Sequence, residues 1–294
     1  MSEPGTAGQA DTVDVVRDIE YAQTDSGSLA LDLYRPAGAG AGAEAAVTVL
    51  YLHGGGWAVG HRTAYAAERL VPIAQRGVAV ASASYRFTDV ASYPSQLHDA
   101  KGAVRWLRAH GDELGLATDR IGAWGASAGG YLALMLGLTA GSAELEGDIG
   151  GNPEQDSSVH AVCDWFAPVD LAATRTGGSE LPLPDFASGP PPDPSYPARL
   201  LGLRRIEDDL EAARAASPLH LVARARGGAE AYLIMHGDRD GLVPDGQSQA
   251  MHDALLSNGI DSSLMLLGGA NHEGPEFDRA AVLSAVAGFF LAAL

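Results

Sequence analysis

The stretch Asp119-Arg120-Ile121-Gly122-Ala123-Trp124-Gly125-Ala126-Ser127-Ala128-Gly129-Gly130-Tyr131 decides how this sequence folds. An apolar run at 121–124 stops at Gly125-Ala126-Ser127-Ala128-Gly129-Gly130, and a helix-like apolar stretch at 131–138 begins at once. The order is strand, sharp turn, helix. A serine at such a turn needs small neighbours, here Gly125, Ala126, Ala128 and Gly129, and its hydroxyl is lifted above the sheet edge beside a helix N-terminus.

The flanking sequence repeats the alternation. Upstream, alternating segments at 15–22 and 29–36 around Asp25-Ser26-Gly27-Ser28 predict an antiparallel hairpin. A continuous apolar strand, Ala46–Leu52, then ends at His53-Gly54-Gly55-Gly56-Trp57. Residues 63–75 carry helical spacing at Tyr65, Leu70 and Ile73, and 77–84 reads as a short strand ending at Tyr85-Arg86. Pro94 opens a helix through residue 109, with Leu97, Val104 and Leu107 on one face and the basic Lys101, Arg105 and Arg108 elsewhere. Strands alternating with helices predict an α/β chain with a mostly parallel sheet. After a strand at 159–166 the pattern breaks: 174–197 is rich in proline and glycine, and loops of that length in compact domains are often lids. Helical patches at 198–203 and 206–216 are predicted to pack over the carboxyl edge of the sheet. The alternation resumes with a strand at 232–235, a helix at 247–257, a strand at 263–267 and a last helix at 277–294. The organisation predicted is a flexible tail at 1–12 and a single domain at 13–294, with a cap or lid insertion at about 168–216.

Composition excludes several classes. With 294 residues, 46% hydrophobic and 19% charged, the chain is long enough for a buried core and unlike a disordered one. Lysine and arginine total 19 against 37 aspartate and glutamate, and the resulting charge of −18 repels phosphate backbones and anionic lipid. No nucleic acid or membrane partner is therefore expected. No apolar run approaches a membrane span, and the first fourteen residues lack a basic start and an apolar core, so the expected location is cytoplasmic. The single Cys163 lies in an apolar strand-like run and reads as a buried, inert thiol. The apolar Gly288-Phe289-Phe290-Leu291 fits burial either in its own core or in a homo-oligomer.

Ser127 as a nucleophile would need a base, a group to orient that base, and donors for an oxyanion. His272, in Gly268-Gly269-Ala270-Asn271-His272-Glu273-Gly274, follows the last predicted strand, where a loop reaches the carboxyl edge. His236, at a strand end, fits a structural role, and His252, within a helix pattern, an exposed one. For the acid, Asp238, Asp240 and Asp245 all follow the preceding strand, and spacing alone leaves the three open. Metal binding at Asp238 and Asp240 is not expected, because Arg239 stands between them. For the donors, Gly54-Gly55-Gly56 after a strand and the N–H of Ala128 fit the requirement. A dinucleotide-binding reading fails, since the turn at Ser127 lacks the middle glycine of G-x-G-x-x-G.

On His53-Gly54-Gly55-Gly56-Trp57, Tyr85-Arg86, Pro94 with Asp99 and Trp106-Leu107, Gly125-Ala126-Ser127-Ala128-Gly129-Gly130, His236-Gly237-Asp238-Arg239-Asp240-Gly241-Leu242-Val243-Pro244 and His272, the chain over 14–294 resembles the α/β-hydrolase superfamily. Within it the resemblance is to the esterase and lipase branch related to hormone-sensitive lipase, bacterial carboxylesterases and feruloyl or acetyl-xylan esterase-like enzymes. The resemblance implies an α/β-hydrolase fold with helices on both faces of the sheet and a lid-like insertion. It also implies a serine esterase acting on a small-molecule ester without a cofactor, with Ser127, Asp240 and His272 as catalytic residues and Gly55, Gly56 and Ala128 as oxyanion donors. Asp99 and Arg86 are expected to be structural. The His-Gly-Gly-x-Trp pattern is similar to that of arylformamidases too, which keeps a formamide substrate in view, and a non-catalytic ligand-binding relative is the alternative of another class.

Overall fold

The computed structural model describes residues 13–38, 45–173, 195–225 and 227–294. Its strands are β1 (Val13–Thr24), β2 (Gly27–Pro36), β3 (Ala46–Leu52), β4 (Val78–Ala83), β5 (Leu116–Ala126), β6 (Ala161–Trp165), β7 (Ala231–Gly237) and β8 (Asp261–Leu267). They form one sheet in the order β1-β2-β4-β3-β5-β6-β7-β8. β1 and β2 pair antiparallel, as does β2 with β4, and every later pairing is parallel. The hairpin, the buried β3 and the parallel remainder agree with the alternation in the sequence. Ala46–Leu52 is apolar throughout except Thr48 because it lies between β4 and β5 with helices above and below.

The helices are α1 (Val71–Ala74), α2 (Ser95–His110), α3 (Ala128–Leu138), α4 (Ala143–Glu146), α5 (Tyr196–Leu200), α6 (Leu210–Ala215), α7 (Pro218–Leu221), α8 (Gly246–Ser257) and α9 (Ala280–Ala293). One face of the sheet packs on α2, α3 and α8 through Leu97, Val104, Leu132, Leu136, Met251 and Leu255. The other packs on α1 and α9 through Ile73, Val286 and Phe290. Helices thus cover both faces, the arrangement of an α/β-hydrolase fold. Phe290 is fully buried in this chain's own core, against Gly122 of β5, while Leu291 is 49% exposed. Among the described residues no helix is long and apolar enough to cross a membrane.

Two expectations need correction, and two basic residues of α2 are placed. Lys101 and Arg105, off the apolar face, are both buried, and α4 supplies Glu146 to them. Lys101 Nζ reaches Glu146 Oε2 at 2.9 Å and donates to the Thr139 carbonyl at 2.9 Å, while Arg105 pairs with the other oxygen of Glu146. The Lys101 ammonium is tolerated there because its charge is matched and its donors meet Thr139, Glu146 and Ser157. The predicted helix at 63–75 is instead a π-helical turn, Ala66–Leu70, followed by the short α1. His252 is half-buried, not exposed, and its Nδ1 hydrogen-bonds Ser262 at 2.9 Å. The proline-rich stretch expected to form a lid lies, at 174–194, outside the described residues.

Candidate active site

β5 delivers Ser127 to the carboxyl edge. The serine has φ 54° and ψ −117°, a conformation that L-residues rarely adopt. Two hydrogen bonds hold it there: its N–H donates to the Trp165 carbonyl at 2.8 Å, and its own carbonyl accepts from Tyr131 at 2.9 Å. The flanking glycines are required by space. A Cβ on Gly125 would stand 2.2 Å from the Gly129 carbonyl oxygen, and one on Gly129 would stand 1.9 Å from that of Leu52.

β7 and β8 deliver the other two groups. His272 Nε2 lies 2.9 Å from Ser127 Oγ, and His272 Nδ1 lies 2.6 Å from Asp240 Oδ2. A carboxylate only accepts, so Nδ1 carries the proton and the free Nε2 lone pair faces the serine hydroxyl. Asp240 Oδ1 accepts the N–H groups of Leu242 and Val243, both at 2.8 Å. Burial pushes the Asp240 carboxyl up, but hydrogen bonds from His236 and His272 outweigh it and hold the group well below the usual carboxylate range. Of the three aspartates left open by spacing, only Asp240 meets His272. Asp238 is exposed and accepts the Gly269 N–H at 2.6 Å, and Asp245 precedes α8.

The glycine run after β3 adjoins this turn: a Cβ on Gly54 would stand 3.1 Å from the Ala126 carbonyl oxygen and 3.4 Å from Ser127 Cβ. Gly55 and Gly56 have φ +117° and +60°, and the Gly55 carbonyl points back to accept from Ala58 and Val59, each at 3.1 Å. Ala128 is the first residue of α3, where the N–H has no partner within the helix. Trp57 Nε1 donates to the Ala128 carbonyl at 3.1 Å and so joins the two sources of N–H groups. His53 is buried against Tyr85, ring centroids 4.6 Å apart, with Nδ1 2.7 Å from the Gly54 carbonyl. Burial lowers its imidazolium to about 4, so it stands neutral as a brace. Arg86 and Asp99 pair with each other, Nη2 to Oδ1 at 2.6 Å, with the Arg86 N–H adding 2.8 Å to Oδ2.

Residues 31–255 match the sequence model of the BD-FAE family, which takes in the turn at Ser127, the glycine run and Asp240. The chain belongs to the BD-FAE family. Among its relatives is Esterase LipC of Mycobacterium tuberculosis, 29% identical over 211 residues, covering 71% of this chain and 48% of LipC. The chain spans about half the length of the curated relatives it matches. Among solved structures, a truncated carbohydrate esterase from gut microbiota superposes with a TM-score of 0.79 at 26% identity, over 98% of this chain and 99% of that one. Esterase 2 of Thermogutta terrifontis, phosphoramylated by tabun, superposes at 0.70 with 25% identity, over 98% and 96%. The family thus places the chain in the esterase and lipase branch of the α/β-hydrolases.

In this BD-FAE member several residues at the site carried no readable sequence signal. Asn271 Oδ1 accepts from Gly241 at 3.0 Å and from His272 at 2.8 Å, tying the Asp240 loop to the His272 loop. Arg69 is wholly buried, stacks over Tyr65 at 3.7 Å, and pairs with Glu273 at 3.2 Å and Asp278 at 2.5 Å. Glu273 follows His272 directly and has φ 57°, so the ion pair holds a strained loop. Tyr196, at the start of α5, lays its ring on Gly56, where an added Cβ would fall 2.4 Å from the ring.

Proposed function

We propose that the chain is a serine hydrolase that cleaves a small-molecule carboxylic ester through an acyl-enzyme on Ser127. The observation that carries this is the unbroken hydrogen-bonded series from Asp240 through His272 to Ser127. His272 Nε2 takes the serine proton as Oγ bonds to the carbonyl carbon, and Asp240 stabilises the imidazolium that forms. Gly55, Gly56 and Ala128 supply N–H groups to the developing oxyanion. Collapse expels the alcohol, which leaves with the proton from His272; water then attacks the acyl carbon, giving its proton to the same nitrogen, and the bond to Oγ breaks as His272 returns that proton to Ser127 and the acid departs. No cofactor enters these steps.

The insertion at about 168–216 serves as a cap within one domain at 13–294. Its described part supports this: Tyr196 rests on Gly56, and the Leu200 carbonyl accepts from Tyr93 at 2.7 Å. The likeness to a carbohydrate esterase makes acylated sugars a substrate class to test.

Turnover of p-nitrophenyl esters of rising acyl length, acetylated and feruloylated sugars and N-formylkynurenine tests the reading. Ester turnover that Ser127→Ala abolishes supports it. Ester turnover retained in Ser127→Ala, or preference for the formamide, counts against it.

A further inference from the structure

The geometry points to His236 as a second histidine on the Asp240 carboxylate, a positioning residue that fixes the oxygen used by His272 and sets how readily His272 holds a proton. This rests on the proposed Ser127, His272 and Asp240 chemistry and deepens it.

His236 is the penultimate residue of β7 and is fully buried. Its Nε2 lies 2.9 Å from the Val243 carbonyl and 3.1 Å from Asp240 Oδ2. Both are acceptors, so Nε2 carries a hydrogen and shares it between them, and Nδ1 faces the Ser248 hydroxyl at 2.7 Å. Asp240 Oδ2 is the oxygen that also takes the His272 Nδ1–H at 2.6 Å. One carboxylate oxygen thus receives two imidazole N–H groups, while Oδ1 is filled by Leu242 and Val243.

This arrangement has an electrostatic consequence. Every donor on a carboxylate withdraws charge that would otherwise favour a cationic partner, so His236 reduces the pull of Asp240 on the proton of His272. The effect has the same sign whether His236 is neutral or charged. The groups facing His236 are Asp240 from its own loop, Asp164 from β6, Ser248 from α8, and the Phe166 ring at 6.4 Å. Burial pushes the His236 imidazolium down, but Asp240, with the Val243 carbonyl and Asp164, offsets this, so the net direction is upward. Asp164 is pushed up to about 7 by burial.

The test follows the rate of fluorophosphonate labelling against pH in wild type, His236→Gln, His236→Leu and Asp164→Asn. Glutamine places an amide N–H where Nε2 stands; leucine has the bulk without a donor. His236→Leu is expected to move the acid limb upward by about half a pH unit or more, and His236→Gln to restore the wild-type limb. A His236→Leu limb that coincides with wild type, or one that glutamine fails to restore, overturns the inference. So does a limb that moves in Asp164→Asn and not in His236→Leu. Wild type that does not label at all removes the Ser127 reading itself, a distinct failure. Should His236→Leu not fold, the low-field N–H proton resonance of His236 in wild type decides. It is expected to shift with the midpoint of the labelling limb, and a resonance indifferent to that midpoint overturns the inference.

Discussion

The indole N–H of Trp57 donates to the carbonyl oxygen of Ala128, so the loop after β3 and the first turn of α3 are held at a fixed separation of 3.1 Å. The two N–H sources proposed for the oxyanion therefore move together. Trp57→Phe keeps an aromatic ring against Tyr131, which now sits at 5.0 Å, and deletes only the donor. The expected result is about tenfold lower kcat with KM little changed, and about 1 kcal/mol of lost stability, from steady-state kinetics and urea unfolding.

Asp240 and Asp238 separate cleanly in a second experiment. Asp240→Asn removes the acceptor that fixes the His272 tautomer and should lower kcat by about 10³ to 10⁴. Asp238→Asn touches only the Gly269 N–H on an exposed loop and should leave kcat within about twofold. Ester hydrolysis by both variants, with circular dichroism to verify folding, measures the contrast. Equal losses would remove Asp240 from its role.

Glycine replacement should divide sharply by location. Gly129→Ala forces a Cβ to within 1.9 Å of the Leu52 carbonyl, backbone against backbone in the sheet centre, and should cost more than about 3 kcal/mol or prevent folding. Gly246→Ala opens α8 in free space without a positive φ and should be neutral or stabilising by up to about 1 kcal/mol. Thermal melts of the two variants provide the comparison.

Asp164 makes stability depend on pH. Its side chain is wholly buried, Oδ1 accepts the Ala167 N–H at 3.1 Å, and Oδ2 has no partner among the described residues. Burial raises the carboxyl from 3.8 to about 7, against a smaller lowering by His236. A folded pKa above the unfolded one means stability present below about pH 4 and lost as pH rises to about 7. The loss is about 2–4 kcal/mol. Asp164→Asn should therefore melt at a higher temperature than wild type at pH 8 and show a smaller gain at pH 5. Equal gains at both pH values would contradict this.

Much of the arrangement was legible because it is local. β3 is one unbroken apolar segment, the turn at Ser127 needs small residues that adjoin it in sequence, and the order of serine, acid and histidine follows the strand ends, although only the family resemblance singled out Asp240 from Asp238 and Asp245. What escaped depends on distant partners. The burial of Lys101 and Arg105 depends on α4, which brings Glu146 beneath them, and Arg69 waits on Glu273 and Asp278, some two hundred residues away. His236 was legible as a strand-end residue with a structural role. Its share in the Asp240 carboxylate depends on how the loop from 238 to 243 curls back, which spacing does not encode. Tyr196 follows a stretch without periodicity, and nothing in its neighbours marks it for Gly56.

Cys163 is the chain's single cysteine and is wholly buried in β6, where burial pushes its thiol well above the ordinary range. Thiol reagents therefore find no reactive group on the native molecule. A cysteine introduced at Tyr196 would be the one addressable sulfur, so a spin label or fluorophore placed there reports on the approach to Gly56 with no competing background and no need to remove a native residue first.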